Sequence, residues 1–84
     1  MSVFFHGPRG GLQLSNETAS TLLQAMGHEL TEDSVGSMSM LDARLGMEKA
    51  KQVLRGNDLE FLCHLEALLD DISDNWGGDT LEWD

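Results

Sequence analysis

Residues 58–76, DLEFLCHLEALLDDISDNW, carry the longest helical pattern of the chain and decide the type of fold. Apolar side chains recur there at intervals of three and four, the spacing that lines up one side of a helix against its neighbours. These positions are Leu62, Leu65, Leu69, Ile72 and Trp76. Asn57 and Glu60 stand at capping spacing before the pattern, and Gly77 and Gly78 end it.

Two shorter helices are predicted upstream. In SNETASTLLQAMG (15–27), Ser15 or Asn16 is a capping residue and Gly27 ends the helix. In SMLDARLGMEKAKQVLR (39–55), Ser39 and Asp42 have capping spacing, and Gly46 is an internal residue that could divide the helix in two. Four of the five basic residues lie in this second helix: Arg44, Lys49, Lys51 and Arg55.

Short strands are predicted at both ends of the chain. VFFHGPRGGLQLS (3–15) reads as a hairpin with Val3 and Phe5 on one face, since its glycines and proline favour a turn. Near the carboxyl end, Leu81 and Trp83 alternate as in a strand. HELTEDSVGSMS (28–39) has no sustained period and is predicted to be a loop, with one helical turn after Thr31.

These elements predict a single domain spanning residues 1–84, of the α+β class and mainly helical. An N-terminal β-hairpin precedes three helices, and the C-terminal strand completes a small antiparallel sheet. The predicted core residues are Leu22, Leu23, Met26, Val53, Leu54, Leu62, Leu65, Leu69 and Ile72. Cys63 is interpreted as a small core residue and His64 as a surface or boundary residue. Trp76 and Trp83 are interpreted either as anchors of an interface or as side chains that hold the last strand against helix three.

Composition narrows the class of partner. The net charge is −10, from 15 acidic and 5 basic residues. Direct binding to nucleic acid or to an anionic membrane is therefore disfavoured, and binding to a basic protein surface is favoured.

A single cysteine excludes an internal disulfide. No apolar run is long enough to span a membrane and the start lacks the features of a secretory signal, so a cytoplasmic protein is expected.

The run LQLSNETASTLLQAMG, followed by a middle helix, a Leu-rich helix and a terminal LEW, resembles a group of small proteins of bacteria and their phages. Those proteins share a Leu-Ser-Asn start, a Leu-Leu pair and a closing Leu-Gly, where this chain has Met26 before Gly27. The resemblance implies a fold and a bacterial or phage setting, and it implies no activity.

Two kinds of metal site can be weighed against the sequence. From Asp71 to Glu82, oxygen-bearing side chains fall at the positions of an EF-hand calcium loop, but Trp76 stands where that loop needs Gly. A helix end followed by a strand accounts for the same residues. Cys63, His64 and the other two histidines show no zinc-ligand spacing. We therefore expect no metal and no cofactor.

Catalysis is not expected either. Cys63 and His64 are the single pairing worth considering, and adjacent positions on a helix point in different directions. The HGPRGG run matches neither a phosphate-binding loop nor a dinucleotide fingerprint. The sequence indicates a protein that is not an enzyme.

The strongest functional signal is segregated charge. Nine acidic residues and no Lys or Arg lie from Asp58 onward, and Glu66, Asp70 and Asp74 share one side of the predicted helix. Like charges at that spacing destabilise a helix, so either helix-two cations pair with them, or a basic partner does, or the face is merely solvated. The predicted partner-binding residues are Glu66, Asp70, Asp71, Asp74 and Asp79.

Two functions follow as hypotheses. The first is an acidic inhibitor that mimics nucleic-acid charge and blocks the basic surface of a nucleic-acid-handling complex, as anti-CRISPR and anti-restriction proteins do. The second is a structural or adaptor protein that self-associates through an apolar helix face formed by Phe61, Leu65 and Leu68. The chain would be a monomer in the first case and a homodimer in the second.

Overall fold

A computed structural model describes residues 2–30 and 35–84 as one four-stranded antiparallel sheet with helices packed on one of its faces. The strands are β1 (Ser2–Phe5), β2 (Leu12–Ser15), β3 (Gly36–Ser39) and β4 (Thr80–Trp83). The helices are α1 (Asn16–Ala25), α2 (Met40–Val53) and α3 (Gly56–Asp71), and α3 continues into a π-helical turn, Ile72–Trp76, called the π segment below. The strand order is β2-β1-β4-β3, which places the first and the last strand in the centre of the sheet.

Alternation along the strands divides the sheet into a covered face and an open face. Val3 and Phe5 of β1, and Leu81 and Trp83 of β4, are buried in the same core as the helices. The intervening side chains, among them Glu82, lie on the face that no described helix covers. The predicted hairpin and terminal strand are therefore confirmed, with the predicted alternation of side chains between the two faces.

The sheet contains one more strand than expected. β3 lies within the run predicted to be a loop, and the helical turn expected after Thr31 falls outside the described residues. The indole of Trp83 fills the space beside the Cα of Gly36. A Cβ on Gly36 would lie 2.6 Å from the ring, so a residue with a side chain does not fit at this position. An edge strand of small and polar residues lacks the apolar alternation by which strands are recognised.

Both predicted caps of the first two helices are present. The hydroxyl of Ser15 accepts a hydrogen bond from the backbone N–H of Thr18 at 3.2 Å, and the hydroxyl of Ser39 accepts one from the backbone N–H of Asp42 at 3.1 Å.

Gly46 does not divide α2, which is continuous. It is buried because α1 crosses there, and a Cβ on it would lie 2.8 Å from both Cβ and the backbone oxygen of Met26.

The ends of α3 differ from the prediction in one respect. The helix begins at Gly56 without a side-chain cap, so the proposed Asn57–Glu60 capping pair is wrong. Its far end is as expected, because Gly77 follows the π segment in a left-handed conformation with φ of 59°.

Three predicted burials are wrong. Val53 is 64% exposed, Cys63 is exposed, and Trp76 is 57% exposed, so Trp76 does not hold β4 against α3. The other predicted core residues are buried, together with Val3, Phe5, Leu14, Ala19, Ala43, Met47, Ala50, Leu68, Leu81 and Trp83. No helix within the described ranges has the length and apolar character needed to cross a membrane.

Candidate functional site

A groove of about 610 Å³ runs between the β1–β2 connection and the second half of α3. Three of the five predicted partner-binding residues, Asp70, Asp71 and Asp74, line it. The remaining lining residues are Arg9, Gly11, Leu12, His64, Ala67, Leu68 and Asn75. The hairpin connection reaches this position through Gly11, whose φ of 71° and close approach to the carbonyl oxygen of Phe5 leave no room for a side chain.

Glu66 faces α2, not the groove. Lys51 Nζ donates a hydrogen bond to Glu66 Oε2 at 2.6 Å and also lies 3.8 Å from Glu48. The hydrogen bond to Glu66 raises the pKa of Lys51 above its ordinary value, against a smaller lowering by burial. Because the pKa is raised on folding, the stabilisation is present at neutral pH and is lost only as the pH rises through the raised pKa.

Asp70 is also paired with α2. Arg44 Nη2 donates to Asp70 Oδ1 at 2.7 Å, and the two side chains are 37% and 62% exposed. Only Leu54 and Arg55 separate α2 from α3, so the two helices run antiparallel. Arg44 lies near the start of α2 and Lys51 near its end, and these two cations contact successive acidic residues of α3. Glu66 and Asp70 thus join two helices.

Asp71 has its partners inside the groove. Arg9 Nε lies 3.3 Å from Asp71 Oδ1, and the Asn75 amide donates to the same carboxylate oxygen. Arg9 is 78% exposed, whereas the Asp71 side chain is 19% exposed. An ion pair with so exposed a cation is weak and easily exchanged. We call Glu66, Asp70 and Asp71 the paired ridge.

The last two predicted residues are not neutralised in this way. Asp74 is exposed at the end of the groove, and its carboxylate has no hydrogen bond or ion pair within residues 2–30 and 35–84. Asp79 is exposed at the start of β4, outside the groove, where it accepts a hydrogen bond from the Thr80 hydroxyl at 3.2 Å. Glu82, on the open sheet face, is exposed and has no side-chain bond in the described part. Asp74, Asp79 and Glu82 are the open carboxylates.

A charge inventory of the described residues shows a large excess of unpaired acid. Thirteen acidic residues are described, and four of them contact Lys or Arg, which leaves nine without such a contact. Only two cations, Lys49 and Arg55, lack a carboxylate contact in this part of the chain, and the Arg55 guanidinium donates to the carbonyl oxygens of Leu54 and Gln52. Internal pairing therefore neutralises the ridge and leaves most of the negative charge facing solvent.

Cysteine and histidine side chains form no cluster with these acids in the described residues. Cys63 and His64 are both exposed, and no hydrogen bond joins them. His6 contacts Asp84, and His28 packs edge-on against Trp83. In the described ranges, no three His, Cys, Asp or Glu side chains form a group that could hold a metal ion.

The sequence did not indicate several residues that shape this surface. Arg9 is the one basic residue outside the predicted second helix (39–55), and its separation from the other four in the sequence was the available signal for its role beside α3. The sequence alone places Glu82 only among the acidic residues and in the calcium-loop spacing, and it leaves Trp76 as either an interface anchor or a side chain that holds β4 against α3. The chain matches no protein-family model, no curated protein and no solved structure, so the chemistry of its own surface has to identify its function.

Proposed function

We propose that this protein is a non-enzymatic acidic interaction module that binds the basic surface of a nucleic-acid-handling protein and excludes the nucleic acid. Inhibitors of the anti-CRISPR or anti-restriction type act in this manner. The observation that carries the proposal is the charge inventory of the described residues. Nine carboxylates have no contact with Lys or Arg, whereas only two cations have no contact with a carboxylate.

The sign of this charge determines the kind of partner. A surface with such an excess of carboxylates repels the phosphate backbone and attracts the Lys and Arg side chains that normally bind phosphates. Carboxylates accept charge-assisted hydrogen bonds from guanidinium groups in the same forked geometry as phosphate oxygens. A protein that binds nucleic acid presents many such cations together, and it therefore gains most from this surface.

The groove provides a place where exchange of ion pairs is easy. Asp74 is open, Asp70 is 62% exposed although paired, and the highly exposed Arg9 contacts Asp71 from the edge of the groove. A partner's arginine could replace Arg9 at Asp71 with little loss of folding stability, because exposed ion pairs contribute at most about 1 kcal/mol. Glu66 is expected to contribute least, since its contact with Lys51 ties α3 to α2.

The proposal is tested by capture from a bacterial lysate, followed by elution with single-stranded DNA or RNA. We expect the immobilised protein to retain nucleic-acid-binding proteins that the nucleic acid releases, with weaker retention as salt rises. An Asp74→Asn, Asp79→Asn variant should retain less, and Glu66→Gln should retain nearly as much as the wild type. Retention that nucleic acid does not reverse, or no retention at all, contradicts the proposal.

A second function, self-association through an apolar helix face, is favoured by a different observation. The face predicted for it is wrong, because Leu65 and Leu68 are buried and only Phe61, at 37%, is partly exposed. On α2, however, Leu41 and Leu45 are 70% and 57% exposed and lie one turn apart. Light scattering distinguishes the two functions: a dimer that persists at high salt and dissociates on Leu41→Ser, Leu45→Ser substitution supports the adaptor.

A further inference from the structure

A second pocket, of about 340 Å³, lies between the last residue of the π segment and the open face of the sheet. His6, Trp76, Thr80 and Glu82 line it. We propose that this pocket binds an arginine side chain of a basic protein partner, with the guanidinium stacked on the indole of Trp76 and hydrogen-bonded to the carboxylate of Glu82.

The π segment explains why a tryptophan is available here. Trp76 follows Ile72 by four residues, and in an α-helix both would lie on the buried seam. A π turn closes its hydrogen bond one residue later, so four residues fall short of a complete turn. Ile72 stays fully buried while Trp76 rotates out to 57% exposure. The departure from α-helical geometry therefore presents the largest aromatic surface of the chain to solvent.

The charges around the pocket favour a cation. Glu82 is exposed and makes no side-chain bond in the described part of the chain, so both of its carboxylate oxygens are available to a ligand. The described strands carry no Lys or Arg that could occupy the pocket from within the protein. Glu82 alternates with buried Leu81 and Trp83, which fixes its side chain on the open face.

Arginine fits these walls better than other cations. Its planar guanidinium stacks on an aromatic ring and donates two parallel hydrogen bonds to one carboxylate, whereas the ammonium of lysine is a compact, strongly hydrated charge. Quaternary ammonium ligands are bound by cages of several aromatic rings. Here one exposed indole stands beside one open carboxylate, and this combination selects the guanidinium.

The remaining wall of the pocket is held in place by its own contacts. His6 Nε2 lies 3.2 Å from Asp84 Oδ2, and the His6 ring packs edge-on against Phe4 with the ring centroids 5.0 Å apart. The backbone N–H of His6 donates to the carbonyl oxygen of Glu82 at 3.0 Å. This wall is therefore ordered before a ligand arrives, which lowers the entropic cost of binding.

This inference rests on the proposed function for the nature of the partner, a basic protein, but it concerns a different surface. The acidic groove and this pocket share no lining residue. Arginine binding to the isolated protein tests this pocket, and the capture of nucleic-acid-binding proteins from a lysate tests the proposed function. A negative result in one experiment therefore does not imply a negative result in the other.

The test is a two-dimensional NMR titration of the ¹⁵N-labelled protein with N-acetyl-arginine amide, using N-acetyl-lysine amide as the matched cation. We expect saturable shifts of the Trp76 indole N–H and of the backbone amides of Thr80 and Glu82, with a dissociation constant on the order of millimolar. The buried indole of Trp83, 2% exposed, is the internal reference and should not move. The lysine compound should give an affinity several-fold lower.

Two variants complete the test. Glu82→Gln, an isosteric change at an exposed position, should weaken arginine binding about tenfold, by analogy with other charge-assisted hydrogen bonds, and Trp76→Leu should abolish saturation. Glu60→Gln, at an exposed position that lines neither the groove nor this pocket, should leave the titration unchanged. Absence of saturable shifts, equal binding of the lysine compound, shifts confined to the groove, or an unaltered titration of Glu82→Gln would each overturn the proposal.

Discussion

The paired ridge and the open carboxylates are built from the same residue types but have opposite surroundings. Glu66, Asp70 and Asp74 repeat every four residues, yet Lys51 and Arg44 contact the first two and nothing described contacts the third. The antiparallel α2 begins at Met40, shortly before Arg44, and it offers no further cation toward the end of α3. Whether an acidic residue supports the fold or remains available to a partner is therefore decided by the neighbouring helix, not by spacing along its own helix.

The largest expected effect comes from the buried side of α3, on which both regions depend. Leu65 is fully buried, so Leu65→Ala should lower the free energy of unfolding by about 2–5 kcal/mol, through lost burial and the resulting cavity. Urea denaturation followed by circular dichroism measures this. Phe61→Ala, at a partly exposed position, is the control and should cost clearly less. A smaller loss for Leu65→Ala than for Phe61→Ala would show that Leu65 is not a core residue.

The next effect tests the packing that positions the cations of α2. An exposed helical glycine replaced by alanine stabilises a protein by up to about 1 kcal/mol. At Gly46 the added Cβ meets the Cβ and backbone oxygen of Met26, so Gly46→Ala should instead destabilise by about 1–3 kcal/mol. Thermal unfolding decides the sign. Gln52→Ala, at an exposed position of the same helix, should change stability by less than about 0.5 kcal/mol.

A smaller effect is expected from the ion pairs of the paired ridge, and it measures their contribution to the free energy of unfolding. Arg44→Met keeps most of the side-chain length and removes the ion pair with Asp70, so it should cost less than about 1 kcal/mol. The cost should diminish as salt rises, because both side chains are partly exposed to solvent. A cost that does not change between low and high salt would mean that packing, and not charge, accounts for the effect of Arg44.

The smallest effect should have the opposite sign. Asp74 lies near the C-terminal end of the helical run, where an anion is unfavourable, and it follows Asp70 by four residues. Asp74→Asn should therefore stabilise the protein by a few tenths of a kcal/mol. Asp58→Asn is the matched control in the first turn of α3, where an anion is favourable, and it should destabilise by a similar amount. Two changes of the same sign would contradict this assignment.

Local features of the fold could be predicted from the sequence. Caps at Ser15 and Ser39, the hairpin and the alternation of Leu81 with Trp83 depend on residues close together in the chain. β3 could not be predicted, because its place depends on pairing with β4 and on the indole that fills the space beside Gly36. Apolar character alone also misplaced Val53, which lies one residue off the buried side of α2 formed by Met47, Ala50 and Leu54.

The sequence predicted which acidic residues belong to the candidate site, but it did not predict which of them pair with Lys or Arg inside the protein. Segregation of acidic residues after Asp58 is visible in the sequence, and three predicted residues do line one groove. Which of them find internal cations depends on the register of α2 against α3 and on the position of the hairpin connection that carries Arg9. The exposure of Trp76 depends on a π turn, for which the sequence pattern gives no signal.

The central claim is that the open carboxylates contribute more to the binding of a basic partner than the paired ridge does, because each residue of the ridge must first give up an internal cation. Two triple variants of equal net charge test it: Asp74→Asn, Asp79→Asn, Glu82→Gln, and Glu66→Gln, Asp70→Asn, Asp71→Asn. Isothermal titration calorimetry with an oligoarginine peptide at low salt should show at least a tenfold loss of affinity, about 1.4 kcal/mol, for the first and a much smaller loss for the second. Equal losses in the two variants, or a larger loss in the second, would contradict the claim.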